Sequence, residues 1–445
     1  MSDLKHIRDA IHGDLEFSDL ELQLMDTAAM QRLRGIRQLG ASYLVYPAAQ
    51  HTRFEHSLGT CMMAKKILHA LETQTRLKVT KDEQKAIAAA ALLHDVTHIP
   101  FGHTLEDERR IFPRHDKDPK RVEFFIHHSP IGKLLQRHKI LHRVVALLSE
   151  KQAAPDGSTW AGQVISHTIC ADLLDYLRRD ARFCGLNIDY DDRIFRYFTI
   201  EDGRLVLNLQ KNGLFRHDAF SEVIHLLRIR YFLTERVYYH HAKIAAGAML
   251  SRAVERAVEL GFDTERLFSM SDEALLYVLQ TEFGKDMAIH RLISHYMSRS
   301  LYKRCFVLTE HTLSEAERLK ISQTYHDNVR NHRGVMERRI AREAKIPPEA
   351  VIIYAPPPKM NLKEADVLVK VDRRPARPLG DYRNHEVMSL QEKYGKLWKL
   401  YVFVDSEFAQ RYAVIGAICE KHLQYTNDLP LIQKGQLSLF ATEEN

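Results

Sequence analysis

The stretch from Lys81 to His103, KDEQKAIAAAALLHDVTHIPFGH, decides the reading of this chain. Its segment Ala86–Leu93 is the most apolar in the sequence, yet far short of the roughly 20 residues that cross a membrane. The run ends directly on His94-Asp95. A helix carrying such a run is buried, and an unpaired carboxylate at its end is costly to bury. A divalent metal removes that cost. His98 lies one turn beyond His94 on the same face, and the Pro100-Phe101-Gly102 turn can fold His103 back over the same place.

Two further stretches offer matching chemistry. Arg53–Gly59 (RFEHSLG) sets His56 in the helical segment Phe54–Thr75, and Ala171–Asp180 (ADLLDYLRRD) sets Asp172 in the segment Gly162–Asp180. Ligands on separate packed helices can converge on one ion. Two neutral imidazoles and two carboxylates (His56, His94, Asp95 and Asp172) suit Mn, Fe, Co or Zn, and suit the oxygen-preferring Mg less well. Four protein ligands leave positions open on a five- or six-coordinate metal, as a catalytic centre requires. One histidine on an apolar helix is more often a packed core residue than a ligand. The combination carries the metal reading, together with Arg53, three residues before His56, whose guanidinium suits bidentate phosphate binding.

A chain of 445 residues can bury a large core and divide into two lobes. Its 45% apolar and 27% charged content are ordinary for a soluble globular protein. A net charge of +6 is compatible with phosphate-bearing ligands without by itself demanding nucleic acid. The start, MSDLKHIRDAIHGD, lacks the apolar core of a secretory signal. The cysteines (Cys61, Cys170, Cys184, Cys305 and Cys419) are odd in number, scattered and without a CxxC pair, which reads as a reduced, cytoplasmic protein.

Helical periodicity covers most of residues 16 to 300, including Asp26–Leu39, Lys81–His94, Pro130–Glu150 and Ala219–Leu260. Arg193–Gln210 reads as a hairpin turning at Asp202-Gly203. Beyond about residue 300, CFVLTE, AVIIYAPP, DVLVKVD and LYVFVD are short β-like runs, followed by a helix over Ser406–His422. The predicted fold class is mainly α. A helical catalytic core spans 1–300, a smaller α+β lobe spans 301–427, and a mobile tail spans 428–445.

The motifs RFEHSLG, LLHDVTHIPFGHTLE and DLLDYLRRD resemble the HD-domain superfamily of metal-dependent phosphohydrolases. Within it, the chain is most similar to deoxynucleoside triphosphate (dNTP) triphosphohydrolases of the sterile-alpha-motif and HD-domain type. The likeness begins near Lys5 (KHIRDAIHGDLEF), strengthens from Asp26 to Gly59, weakens in the final lobe and covers most of the chain. It implies one divalent metal held by His56, His94, Asp95 and Asp172, with a second Mg accompanying the substrate. It gives Arg53 a phosphate contact, and gives His98, His103 and Glu106 a place in the phosphate-binding and proton-transfer shell. Gln38 and Leu39 would lie against the deoxyribose. Tyr176 and Asp180 would complete the sugar pocket, and Arg230 and Tyr238 would contact phosphate and sugar. His115 resembles a further active-site histidine. The implied reaction is water attack at the α-phosphorus of a dNTP, releasing deoxynucleoside and inorganic triphosphate, in a homo-oligomer (tetramer or hexamer). Two positions depart from the pattern. Leu173 stands where relatives often carry a phosphate-contacting lysine, and Glu106 stands where they carry Asp. These leave the metal chemistry intact and loosen the assignment to triphosphates. No GxSxG elbow or Walker loop offers a different chemistry.

Three other features bear on partners. Asp26, Gln31 and Arg34 match residues that read a guanine nucleotide in activated relatives; the same spacing is also an ordinary polar helix face, and Arg8 and Leu44 depart from the pattern. Gln436, Leu437, Ser438, Leu439 and Phe440 (QLSLF) resemble the pentapeptide that docks bacterial proteins onto the replication sliding clamp, the alternative being a tail strand packed on the protein's own body. Basic residues cluster at Arg330, Arg333, Arg338, Arg339, Arg342 and Lys345, and at Lys370, Arg373, Arg374 and Arg377, as on either a solvated helix or a DNA-binding surface. The rival function is therefore an HD-type metal-dependent nuclease recruited to DNA by the clamp. A binding protein with a vestigial site is the third class, and the intact quartet speaks against it.

Overall fold

Three helices form the frame on which everything else is hung. In the computed structural model, which describes residues 5–75, 77–149, 156–326 and 331–434, the helix Arg53–Thr75 packs against Lys81–Leu93 on one side and Ala171–Phe183 on the other. The Lys81–Leu93 helix starts where Thr80 accepts a hydrogen bond from the Glu83 N–H, with Asp82 and Glu83 in its first turn complementing the helix dipole. Every residue from Ala86 to Leu93 is buried. Such a helix belongs in a core, and it delivers His94 and Asp95 to the core's edge.

The fold is mainly α, with one small N-terminal sheet and the other strands beyond residue 197. Lys303–Thr309, Lys399–Val404 and Val351–Tyr354 make an antiparallel sheet with Lys399–Val404 in the middle. The expected hairpin is present as Phe198–Glu201 and Arg204–Asn208; Asp202 and Gly203 have φ of +51° and +71°, the left-handed pair that a tight two-residue hairpin needs. Arg204–Asn208 also pairs in parallel with Leu368–Lys370, through Leu207 and Val369. One sheet thus joins strands from both sides of residue 300. Among the described residues, no helix is long and apolar enough to cross a membrane.

Several expected helices are shorter or broken. Asp26–Leu39 is helical only over Ala28–Arg32 and a 3-10 turn, Leu33–Gly35, before Arg37 bridges to Thr52. The Asp272 carboxylate accepts the Arg37 N–H at 3.0 Å, so a distant side chain outcompetes the helix. Pro130–Glu150 divides into Pro130–Arg137 and Leu141–Leu148 at Lys139, whose φ is +59°. Gly162–Asp180 divides into Trp160–Ile165 and Ala171–Phe183. Ala219–Leu260 divides into His217–Leu233, a π-turn over Thr234–Tyr238, and His241–Glu259. An N-terminal hairpin, Lys5–Asp9 with Gly13–Phe17, precedes the helices.

The basic cluster around residue 335, expected on either a solvated helix or a DNA-binding surface, is partly internal. Arg333 is fully buried and donates to the Glu108 carbonyl at 2.9 Å and to its carboxylate at 3.1 Å. Beside it, Arg109 makes a bidentate pair with Glu337 at 3.0 and 3.1 Å, also buried. Burial pushes the Glu108 carboxyl up to about 7, against the pull of Arg333 and Arg109. A carboxyl whose folded pKa exceeds its unfolded value holds a proton in the native state that the unfolded chain has released. Stability therefore falls as pH rises from about 4.5 to about 7. Denaturant titrations should show the wild type losing up to about 1.4 kcal/mol per pH unit relative to Glu108→Gln across that window. Parallel curves for the two proteins would refute the assignment.

Candidate active site

His56, His94 and Asp172 bring their ligand atoms within 4.8 Å of one another, from three different elements. The two Nε2 atoms of His56 and His94 lie 3.2 Å apart, and His56 Nε2 is 3.0 Å from Asp172 Oδ1. The opposite ring nitrogens are already committed. His94 Nδ1 donates to the Ala91 carbonyl at 2.8 Å, and His56 Nδ1 donates to the Asp175 carboxylate at 2.7 Å. In the neutral form each ring would turn the lone pair of Nε2 into the same space, where Asp172 adds an anionic oxygen. A divalent cation fits that donor set, with the outer hydrogen bonds fixing the tautomers. Burial opposes charge on His56, but Asp172 and Asp175 outweigh it and push its pKa up to about 10. The site thus draws in a positive charge, and metal binding would displace that proton.

Asp95 stands beside this trio. Its Oδ1 is 3.5 Å from His94 Nε2 and 3.2 Å from His98 Nε2, while its Oδ2 accepts from Arg53 at 2.6 Å. Burial raises the carboxyl's pKa, but the Arg53 charge and the hydrogen bond from His98 outweigh it and hold it well below the usual range. Arg53 is itself buried and lies against the backbone of Gly102, where a Cβ would meet its Nη2 at 2.4 Å. Gly102 also has φ +46°, so both its space and its backbone call for glycine.

A second cluster adjoins the first. His98 stacks on His115 at 3.6 Å between ring centroids, and His103 meets His98 edge-on at 4.8 Å. Glu106 lies among them, 3.2 Å from His103 Nδ1 and 3.5 Å from His115 Nδ1, and accepts from Arg121 at 2.6 Å. Burial works against the charge on Glu106, yet the histidines and their hydrogen bonds hold its pKa far below normal. Burial pushes His98 and His115 toward the neutral form. The His103 side chain is 44% exposed, so one ring of the cluster faces the solvent side.

From the trio of His56, His94 and Asp172 a polar wall runs outward. The Tyr176 ring lies 6.5 Å from the His56 ring, and the Arg230 guanidinium sits 5.4 Å from Tyr176 and 5.1 Å from Tyr238. Tyr238 donates its hydroxyl to Asp180 at 2.6 Å, and His51 meets the other Asp180 oxygen at 2.9 Å. The Oε1 of Gln38 is buried without a partner, and Leu39 is half-buried on the next residue. Asp26 and Arg34 are exposed; Arg34 stacks on Phe54 at 3.7 Å and donates to Gln31. Gln436–Phe440 lie outside the described residues.

Besides His51, sequence reasoning missed four contributors. Asp175, three residues after Asp172, holds His56; His12 and Arg179 hold Asp175; and Glu364, from the last third of the chain, accepts from Arg230 Nε at 3.0 Å. The spacing Asp172-x-x-Asp175-x-x-x-Arg179 marks a helix face with charges one turn apart, and it was the available signal for two of them.

The HD-domain family model matches residues 53–180, and the HD-associated-region model matches 188–428. An uncharacterized protein of Methanocaldococcus jannaschii is 32% identical over 323 residues, covering 71% of this chain and 62% of that protein. The SAMHD1 homolog of Dictyostelium discoideum, named a deoxynucleoside triphosphate triphosphohydrolase, is 26% identical over 67% of this chain and 59% of its own length. The mouse enzyme of the same name is 25% identical over 67% of this chain and 54% of its own length. The match thus spans little more than half the length of these relatives. Two crystal structures share the fold: a hypothetical protein from Aquifex aeolicus (TM-score 0.70, 23% identity, 93% of this chain and 99% of that one) and a phosphohydrolase from Bacteroides thetaiotaomicron (TM-score 0.67, 20% identity, 90% and 100%). With the domain and its associated region together accounting for most of the sequence, the chain belongs to the HD-domain family.

Proposed function

We propose that the protein is a metal-dependent dNTP triphosphohydrolase, cleaving at the α-phosphate to release deoxynucleoside and inorganic triphosphate. One observation carries this reading: the trio His56, His94 and Asp172, with ligand atoms within 4.8 Å of one another, adjoins the Tyr176–Arg230–Tyr238–Asp180 wall. Phosphate chemistry and a hydroxyl-reading surface thus lie side by side.

When bound, a divalent metal lowers the pKa of water and polarises a phosphoryl oxygen. The chain's own residues do the rest. Asp95 and Arg53 position each other, which sets the guanidinium beside the reacting phosphate. Glu106, kept ionised, holds Nδ1 of His103 and leaves Nε2 of that exposed ring to carry a proton to the leaving group. His98 and His115 complete the phosphate shell. Arg230 offers a cation to the distal phosphates. Asp180, oriented by Tyr238 and His51, accepts from a sugar hydroxyl, with Gln38 and Leu39 on the deoxyribose. Mn, Fe, Co or Zn would suit this donor set, and a second Mg would arrive with the substrate.

Incubating metal-loaded protein with each dNTP and with single-stranded DNA tests the reading. Inorganic triphosphate and deoxynucleoside are the expected products; nucleotide ladders from DNA without dNTP turnover would overturn it in favour of the nuclease. Tyr238→Phe removes one hydrogen bond to a charged acceptor, worth about 1.5–3 kcal/mol, so kcat/KM should fall about 10- to 100-fold with metal content unchanged. An unaltered kcat/KM would remove Tyr238 and Asp180 from the pocket. The proposal extends to a cytoplasmic homo-oligomer, to a guanine nucleotide activator at Asp26, Gln31 and Arg34, and to clamp docking through Gln436–Phe440. Clamp pull-down should be lost when that pentapeptide is deleted.

A further inference from the structure

The N-terminal hairpin reaches into the centre of the protein. Its turn, Asp9 to Gly13, is tied by Asp9 Oδ1, which accepts the backbone N–H groups of Ile11 and His12, both at 2.9 Å. Gly13 continues the turn with φ +78°. The arrangement points His12 inward, its side chain 1% exposed. His12 Nε2 donates to Asp175 Oδ1 at 2.7 Å. The other Asp175 oxygen accepts from Nδ1 of His56 at 2.7 Å. Arg179 closes the arrangement, donating to both Asp175 oxygens at 2.8 and 2.9 Å and to both Asp9 oxygens at 2.9 and 3.2 Å.

Asp175 therefore accepts four hydrogen bonds, which fills the capacity of a carboxylate. Its orientation is fixed from two sides, by the helix that carries Asp172 and by the hairpin. The carboxylate in turn fixes the ring of His56. The other nitrogen of His12, Nδ1, is buried with no hydrogen-bond partner. A buried, half-satisfied imidazole is a poor way to fill a core, where an apolar side chain of similar size leaves no orphaned polar atom. Its presence there fits a role played through its one satisfied nitrogen. Charge supports the same conclusion: two carboxylates against one guanidinium leave a net negative layer behind His56, which favours a cation on the far side of that ring.

We infer that His12 is a positioning residue of the metal centre, acting through Asp175 on His56, and that the N-terminal hairpin is thereby coupled to metal binding. The inference rests on the metal reading of His56, His94 and Asp172. Coupling is reciprocal: a hairpin that tightens the metal must itself be tightened by it.

The experiment uses the full chain and Mn²⁺ alone. Binding is measured by titration on metal-free protein, and amide exchange of residues 5–17 is followed with and without Mn²⁺. The wild type should bind Mn²⁺ and slow exchange in the hairpin. His12→Leu should weaken Mn²⁺ binding about 10- to 100-fold, as loss of a supporting outer residue does. His12→Gln, whose amide can still donate to Asp175, should recover most of that loss. A wild type that binds no Mn²⁺ overturns the metal reading itself. A wild type that binds Mn²⁺ with unchanged hairpin exchange, or a His12→Leu protein that binds as tightly as wild type, overturns the coupling and leaves the metal reading standing. If His12→Leu does not fold, the exchange comparison on the wild type decides alone.

Discussion

Asp172→Ala is expected to abolish turnover and strip the protein of its divalent metal while leaving the fold largely in place. The Asp172 side chain is 31% exposed and lies in the first turn of the helix Ala171–Phe183, so little packing is lost with it. Its oxygen faces both His56 and His94, at 3.0 and 3.8 Å. Removing it deletes the anionic member of the trio and leaves two imidazoles with Asp95, whose carboxylate is already paired with Arg53, to hold a cation weakly. Metal assistance contributes several kcal/mol to such reactions, so activity should drop on the order of 10³-fold or more. Metal content by elemental analysis and turnover at saturating metal check the two halves separately. Retained metal with lost activity would move Asp172 from ligand to another role, and retained activity would dismiss the site.

Gly59→Ala is expected to do comparable damage by a different route. Gly59 lies three residues after His56 on the same helix, facing Asp175 and Arg179. A Cβ there would fall 1.8 Å from Asp175 Oδ1, 2.5 Å from its Cγ and 2.6 Å from Arg179 Nη2. None of these atoms is the free end of a mobile side chain: both groups are fully buried and bound to each other, to His56 and to Asp9. The methyl must break the Asp175–Arg179 pair or push two helices apart. Disrupting a buried ion pair costs about 3–5 kcal/mol, and overpacking adds about 1–3. The variant should melt at clearly lower temperature and bind metal poorly, although it gains the helix propensity of alanine over glycine. A normal melting curve with normal metal content would show that the helices yield more easily than their packing implies.

The two substitutions separate what could be read along the chain from what could not. His94 and Asp95 are conspicuous because they end an apolar helix where a polar group needs a reason, and His56 and Asp172 because they offer matching ligand types on two other helices. Helical spacing further places Tyr176 and Asp180 on one face with Asp172, and the structure puts Tyr176 beside His56 and Asp180 under Tyr238. The hairpin at Asp202-Gly203 was legible because two left-handed residues leave a strong local signature.

Other features left no such trace. Asp175 and Arg179 look like a surface ion pair one turn apart, and only the packing of three helices buries them. Arg333 looks like one of a string of solvated cations, yet it lies fully buried against Glu108. Glu364 is more than a hundred residues from Arg230, and nothing local links them. The helix ends after Arg32, at Lys139 and before Ala171 were hidden for the same reason: distant acceptors and tertiary packing override a propensity worth only tenths of a kcal/mol per residue.

The sequence by itself therefore determined the chemistry on offer, namely imidazoles and carboxylates at helical spacing around an apolar core, with the mainly α frame that carries them. The tertiary structure decided who is partnered with whom. Burial sets that choice, because a charge removed from water must be matched within about 4 Å by whatever the fold brings there, and that neighbour can come from any part of the chain.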